Sequence, residues 1–206
     1  MSKPDGDFKL GEELQLKRCP HCSVDTPSFT RQSQFSTTSS DKNLTRAWGV
    51  YFCKRCGGVV SAWSYTQGQN IAEMFPGPKQ VDPELPDRAR AFLGQAQESI
   101  HAPAGAIMLA ASAVDAMLKA KKYTEGSLDS RIKQAAADHL ITADMATWAH
   151  QVRLDANNQR HADEAASLPT EADARLTVEF AAALGTFLFT LPSRVSRGIE
   201  ASSPKK

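Results

Sequence analysis

Two cysteine pairs limit what this chain can fold into more than any other feature. "CPHC" sets Cys19 and Cys22 three apart, and "CKRCGG" does the same for Cys53 and Cys56, with thirty residues between the pairs. A CxxC turn forms a tight knuckle that points two sulfurs at one position, so two knuckles complete a tetrahedral site for Zn²⁺. Gly57 and Gly58 follow the last cysteine, where the lack of a side chain lets backbone amides turn toward the sulfurs. The alternative, a redox dithiol, fits less well, because two such pairs flanking a β-favouring segment have the pattern of structural metal. Cys19, Cys22, Cys53 and Cys56 are therefore the expected ligands of one Zn²⁺. His21 lies inside the first knuckle, but four thiolates already complete the coordination.

The segment around the cysteines carries the β-favouring runs "WGVYF" and "VVSAWSY". It also has a polar insert, "SFTRQSQFSTTSSDKN", which is expected to loop out at little entropic cost. Residues 17–68 resemble a zinc ribbon. That resemblance implies a module that depends on metal to fold and that binds nucleic acid, binds protein or serves as a structural appendage. Trp48, Tyr51, Phe52, Lys54 and Arg55 have the aromatic and basic character of a binding face; equally, the aromatics suit the small core of such a module. The expected organisation is a flexible start (1–18), the ribbon (19–70), a Pro-rich linker (71–86), a helical domain (87–192) and a flexible tail (193–206).

Charge narrows the partners only slightly. The whole chain has a formal net charge of +1. Residues 1–80 hold ten Lys and Arg against seven Asp and Glu, whereas the rest holds fourteen against sixteen. A mildly basic front and a mildly acidic back do not by themselves mark a nucleic-acid binder. No apolar run follows the early lysines, so no secretory leader is expected. The longest apolar stretch, "FAAALGTFLFTL", is shorter than the roughly twenty residues that span a bilayer. A cytoplasmic protein with no membrane partner is the expectation, and a reducing compartment suits free thiols.

From Asp87 onward the sequence turns alanine-rich with helical periodicity. Helices are expected over 86–100, 104–122 and 128–140, then a fourth capped by Thr142 and a fifth opened by Thr170 with Asp173. Ile107, Ala111, Val114 and Leu118 mark the buried face of the second. Leu176, Phe180, Leu184, Phe187 and Leu191 form one stripe on the fifth, which Pro192 is expected to end. The fold class is thus a small β-rich zinc module followed by an all-α bundle of about five helices. A stripe so apolar points to a central helix or to a homodimer interface.

"RLDANNQRH" carries the helical half's polar candidates. Arg153, Asn157 and His161 fall at i, i+4 and i+8, suggesting one face that grips a phosphate with a guanidinium while an imidazole moves a proton. Arg160 points about 100° away from His161. The simpler reading is a structural Asn–His pair at the helix end.

Residues 75–192 are similar to the family called domain of unknown function 4145. The features that carry the likeness are the Pro-rich lead "FPGPKQVDPELP", the second-helix pattern "APAGAIMLAASAVD" and the later "ANNQRH". The resemblance implies a helical bundle of the HEPN (higher eukaryotes and prokaryotes nucleotide-binding) type. Members often dimerise, and some are metal-independent ribonucleases whose arginine and histidine lie four to six residues apart. It also implies a prokaryotic defence or restriction-associated setting. Here seven residues separate Arg153 from His161, and Ala111 and Ser112 stand where the family has an arginine pair. Asp115 keeps the acidic end of that pattern and is expected to pair with His161 or Arg153. Two readings follow. One is a non-catalytic binding module for nucleic acid, RNA included, or for a protein partner, with Asn157, His161, Arg160 and Asp115 as binding residues. The other is a ribonuclease or toxin using His161, Arg153 and Asn157.

Overall fold

The computed structural model describes residues 8–77, 80–161 and 167–202. Parts of the expected flexible start (1–7), linker (78, 79) and tail (203–206) lie outside the described residues. The chain divides into two compact units, Met1–Lys79 and Gln80–Lys206, so the division falls inside the Pro-rich stretch. A β-rich cysteine unit followed by a helical unit is the expected order.

The first unit is one antiparallel sheet whose strands lie in chain order: β1 (Glu13–Gln15), β2 (Ser28–Thr38), β3 (Thr45–Cys53), β4 (Val59–Ser64) and β5 (Glu73–Phe75). Strand β3 alternates strictly, with Ala47, Gly49, Tyr51 and Cys53 buried and Arg46, Trp48, Val50 and Phe52 on the opposite face. The polar insert differs from expectation. It is not looped out but forms β2, paired with β3 from Phe29↔Cys53 to Thr38↔Thr45. Its Ser, Thr and Gln residues are exposed for most of the strand, which hid the strand from a reading based on hydrophobic alternation.

The start of the chain also differs from expectation. Leu10, Leu14 and Leu16 are buried with Phe29, Tyr51, Val60, Ile71 and Met74 in one core. A single sheet needs one face covered to be stable in water. The leucines of "KLGEELQLK" and the Ile71–Phe75 segment supply that cover from stretches whose charges and prolines read as tail and linker. Tyr51 fixes the leading segment by donating its hydroxyl hydrogen to the Gly11 carbonyl at 2.9 Å.

The second unit contains α1 (Asp87–Glu98), α2 (Pro103–Ala120), α3 (Leu128–Ala137), α4 (Ala143–His161) and α5 (Glu171–Gly185). Helix α2 is the hub, packed against α1, α3, α4 and α5. Ala106, Ala110 and Ala113 are completely buried on it, and their small side chains let neighbouring helices approach closely. Alanine also has the highest intrinsic helix propensity. Ile107, Ala111, Val114 and Leu118 are buried as expected. The expected caps form: the Thr142 hydroxyl accepts from the Met145 amide, and Thr170 with Asp173 makes a reciprocal capping box.

Pro192 does not end the last helix. The chain continues through a π turn (Thr186–Thr190) into α6 (Leu191–Ser202), so the tail expected to be frayed is helical to Ser202. Proline lacks the N–H for the carbonyl four residues back and crowds that carbonyl. The widened turn, closed by the Leu191 amide on the Thr186 carbonyl, lets the helix pass the ring at the start of its next segment. The expected stripe is split: Phe180 and Leu184 are buried, but Leu176, Phe187 and Leu191 are exposed, as are Val195 and Ile199 beyond them. Leu176 lies outside the buried arc of Ala174, Thr177, Phe180, Ala181 and Leu184 before the π turn is reached.

By length and composition α2 and the continuous Glu171–Ser202 helix are apolar enough to cross a membrane. This corrects the twelve-residue limit, because the helix runs through the proline. Half of the apolar window of α2 is buried inside the unit, which is the ordinary position of a core helix.

Candidate metal centre and cationic cleft

The sheet register brings the two knuckles together. Cys19 and Cys22 lie in the connection from β1 to β2, and Cys53 and Cys56 lie at the turn from β3 to β4. Because Phe29 pairs with Cys53, the start of β2 and the end of β3 share one end of the sheet. The four sulfurs lie within 4.8 Å of one another. The two knuckles repeat one backbone pattern: the Ser23 amide donates to the Cys19 carbonyl at 2.9 Å and the Gly57 amide to the Cys53 carbonyl at 2.8 Å.

A metal ion fits this cluster. Metal–sulfur bonds of about 2.3 Å in a tetrahedron give sulfur–sulfur edges of about 3.8 Å, and Cys19 Sγ lies 3.9 Å from Cys56 Sγ. All four cysteines are free thiols. Burial pushes the Cys19 thiol up to about 12. At Cys53 burial opposes ionisation, but the Cys56 and Arg55 amides, together with hydrogen bonds from the Cys19 and Cys56 side chains, lower the pKa. A cation at the centre would favour the thiolate form of every member.

Two glycines make the second knuckle possible. Gly57 has φ +71°, which other residues adopt only with strain. A side chain on Gly58 would run into the His21 ring. His21 itself is not a ligand; its Nε2–H donates to the Val59 carbonyl at 2.8 Å, bracing one knuckle against the strand that leaves the other. Of the aromatic and basic residues expected as a face, Tyr51 is core, whereas Trp48 and Phe52 lie on the opposite side of the sheet and Lys54 and Arg55 are exposed.

The helical unit contains a cleft of about 520 Å³ among α1 to α4. Its lining includes Arg88, Lys119, Arg131, Arg153 and Arg160 against two carboxylates, Asp115 and Asp129, with Ser112, Ser127 and Asn157 as neutral polar groups. The formal surplus is three positive charges. Three of the expected residues, Arg153, Asn157 and Arg160, therefore share the cleft with Asp115, but His161 is not in its lining and is exposed. Helix geometry accounts for this. At 100° per residue, the step from 153 to 160 falls about 20° short of two turns, whereas the step to 161 overshoots by about 80°. Arg160, not His161, is the residue aligned with Arg153.

Asp115 does not take the partners expected of it. It accepts from Arg131 Nη1 at 2.5 Å and Lys119 Nζ at 2.6 Å. Arg131 Nη2 also donates to the Gly126 carbonyl at 2.5 Å and the Thr124 carbonyl at 3.2 Å. Asp129 faces Arg153 at 3.4 Å and His150 Nδ1 at 3.2 Å. The hydrogen bond from Lys133, followed by the charges of Lys133, Arg153 and His150, holds its carboxyl below the usual range. The buried Nε atoms of Arg131 and Arg153 have no acceptor among the described residues. Lys119 of α2 and Arg153 and Arg160 of α4 are joined in the cleft by Arg88 from α1 and Arg131 from α3. No sequence motif flagged these two, because only the packing of four helices makes them neighbours.

The second unit is accordingly a helical domain with a cationic cleft, and the first is a sheet with a cysteine cluster able to hold a metal ion. The chain belongs to the family described as domain of unknown function (DUF4145), whose model matches residues 95–201. That match takes in α6, so the helix beyond Pro192 is part of the family's domain. No curated protein matches the chain, and no solved structure does either.

Proposed function

We propose that this protein is a non-catalytic binding module for nucleic acid. In this reading a zinc-ribbon unit, with Zn²⁺ on Cys19, Cys22, Cys53 and Cys56, is joined to a HEPN-like helical domain. The observation that carries it is the cleft: five cationic side chains around two carboxylates, a formal surplus of three positive charges. Phosphate oxygens carry the complementary charge, and arginine matches them with paired N–H groups. The ribonuclease reading has less support, since His161 stands outside the cleft that holds Arg153. The exposed Leu176, Phe187, Leu191 and Val195 support a homodimer through α5 and α6. A cytoplasmic location suits four reduced cysteines, and the family resemblance supports a defence-associated setting.

Fluorescence anisotropy with labelled RNA and DNA, single-stranded and duplex, tests the reading. A surplus of three charges predicts a slope of log affinity against log salt of about −2 to −3, and Arg160→Ala should flatten it by about 0.7–0.9. No binding to any of the four forms at low salt overturns the proposal. Cleavage of RNA by the metal-free protein that is lost in His161→Ala favours the ribonuclease instead.

A further inference from the structure

The face of the sheet opposite the core carries a row of aromatic rings. Register places Phe35 of β2, Trp48 of β3 and Trp63 of β4 side by side. Phe35 stacks on Trp48 with centroids 6.2 Å apart and planes 15° from parallel. Trp48 then lies 6.2 Å from Trp63 and 6.4 Å from Phe75 of β5, and Tyr65 meets Trp63 edge-on at 5.4 Å. Phe35, Tyr65 and Phe75 are about half exposed or more. Trp63 is buried beneath its neighbours, so the accessible part of the row is Phe35, Phe75 and Tyr65, with Trp48 partly covered between them.

Both indole N–H groups are satisfied within the sheet. Trp48 Nε1 donates to Thr37 Oγ1 at 2.9 Å and Trp63 Nε1 to Glu73 Oε2 at 3.3 Å. What the row offers a ligand is therefore the flat faces and edges of rings held in place. Arg46 lies over the Trp63 ring, its Cζ 4.7 Å from the centroid, which puts a positive charge directly on the platform. Glu73, at the edge of the row, has one oxygen engaged by Trp63. The first eighty residues carry the chain's basic surplus.

Rings held in place, with both indole N–H groups satisfied and a cation stacked among them, suit unpaired bases on a phosphate backbone. We propose that this sheet face is a stacking platform for single-stranded nucleic acid, with Phe35, Trp48 and Phe75 contacting bases and Arg46 serving the backbone. The proposal rests on the nucleic-acid reading above and specifies the strand form. Bases in a duplex are already stacked and paired, so they have no faces to offer the row.

The test uses the full chain loaded with Zn²⁺, fluorescein-labelled dT20 and U20, and a duplex of equal length. Phe35→Ala and Phe75→Ala alter exposed rings outside the core, and circular dichroism with metal content checks that each variant folds. The expected result is binding of both single strands, weakened about ten-fold by each substitution, with duplex affinity unchanged. Arg46→Ala should weaken single-strand binding and flatten its salt dependence. Single-strand binding indifferent to Phe35→Ala and Phe75→Ala overturns the platform, as does binding of duplex alone; in both cases the cleft reading stands. Failure of all three probes overturns both proposals. A wild-type dimer that Phe35→Ala converts to monomer, without oligonucleotide binding, assigns the face to a second copy and overturns the platform.

Discussion

Asp115→Asn separates the structural from the binding role of the cleft, because the two should respond in opposite directions. The carboxylate now accepts from Arg131 and Lys119. An amide of the same shape keeps one oxygen but turns an NH₂ toward the other cation. Lys119 is about half exposed, so its share is a few tenths of a kcal/mol, as for helical i, i+4 pairs. Arg131 is only 11% exposed, and a hydrogen bond to a charged group in such a position contributes about 1.5–3 kcal/mol. The expected loss is about 2 kcal/mol. For a unit of this size that corresponds to a fall in Tm of about 6–10 °C. The same change raises the formal surplus in the cleft from three to four, so nucleic-acid affinity should rise and its salt slope should steepen by up to about 0.9. Differential scanning calorimetry and anisotropy titrations at two salt concentrations measure both. An unchanged Tm would refute the account of Arg131, and weaker binding by a variant that remains folded would refute the electrostatic account of the cleft.

Further outcomes follow from the metal centre and the last helix. Protein purified without added metal should contain one zinc per chain. Chelation or Cys53→Ser should abolish the cooperative unfolding of the sheet unit, because the binding energy of a structural zinc, about 10–16 kcal/mol, matches or exceeds the whole stability of a typical domain; helical circular dichroism should persist. Thr170→Ala should destabilise the helical unit by about 1 kcal/mol near neutral pH. The Thr170 amide and hydroxyl hold the Asp173 carboxyl below its ordinary value of 3.8. A carboxyl depressed in the folded state stabilises it above the unfolded value and loses that effect as pH falls through the folded one. The gap between wild type and Thr170→Ala should therefore narrow below about pH 3.8, which urea titrations at several pH values would reveal.

The sequence made the cysteines, the caps and the buried face of α2 legible for a common reason. Each depends on spacing within a few residues, as in CxxC, Thr170 with Asp173, or Ile107 with Ala111. What was not legible depends on partners far along the chain. Strand β2 is polar because only its beginning is buried, so it became a strand through pairing with β3 rather than by its own pattern. Leu10 and Leu14 look like isolated leucines in a charged tail until Met74 and Ile71 arrive beside them. The cleft shows both limits at once. Arg153 and Arg160 were visible on one helix, but their alignment required seven residues to be weighed against eight. Arg88 and Arg131 had no signal short of the packed bundle. Pro192 reads as a stop because a proline usually is one, and the π turn that accommodates it has no established sequence signature.

The Phe29↔Cys53 register has a consequence for how this protein can change over time. It fixes the cysteine cluster at one end of the β2–β3 hairpin and leaves the other end, around Ser39 to Leu44, free of the cluster's geometry. Adding or deleting one residue on each strand at the turn itself would lengthen or shorten the arm, keep the side chains between the turn and the base on their faces and leave the four sulfurs where they are. A change of one residue on one strand would instead turn the outer part of that strand over or force a bulge, exchanging core and open faces beyond the insertion. The hairpin is thus an extensible arm anchored at its base. Homologous chains should differ in its reach by even numbers of residues while holding the thiols in constant register.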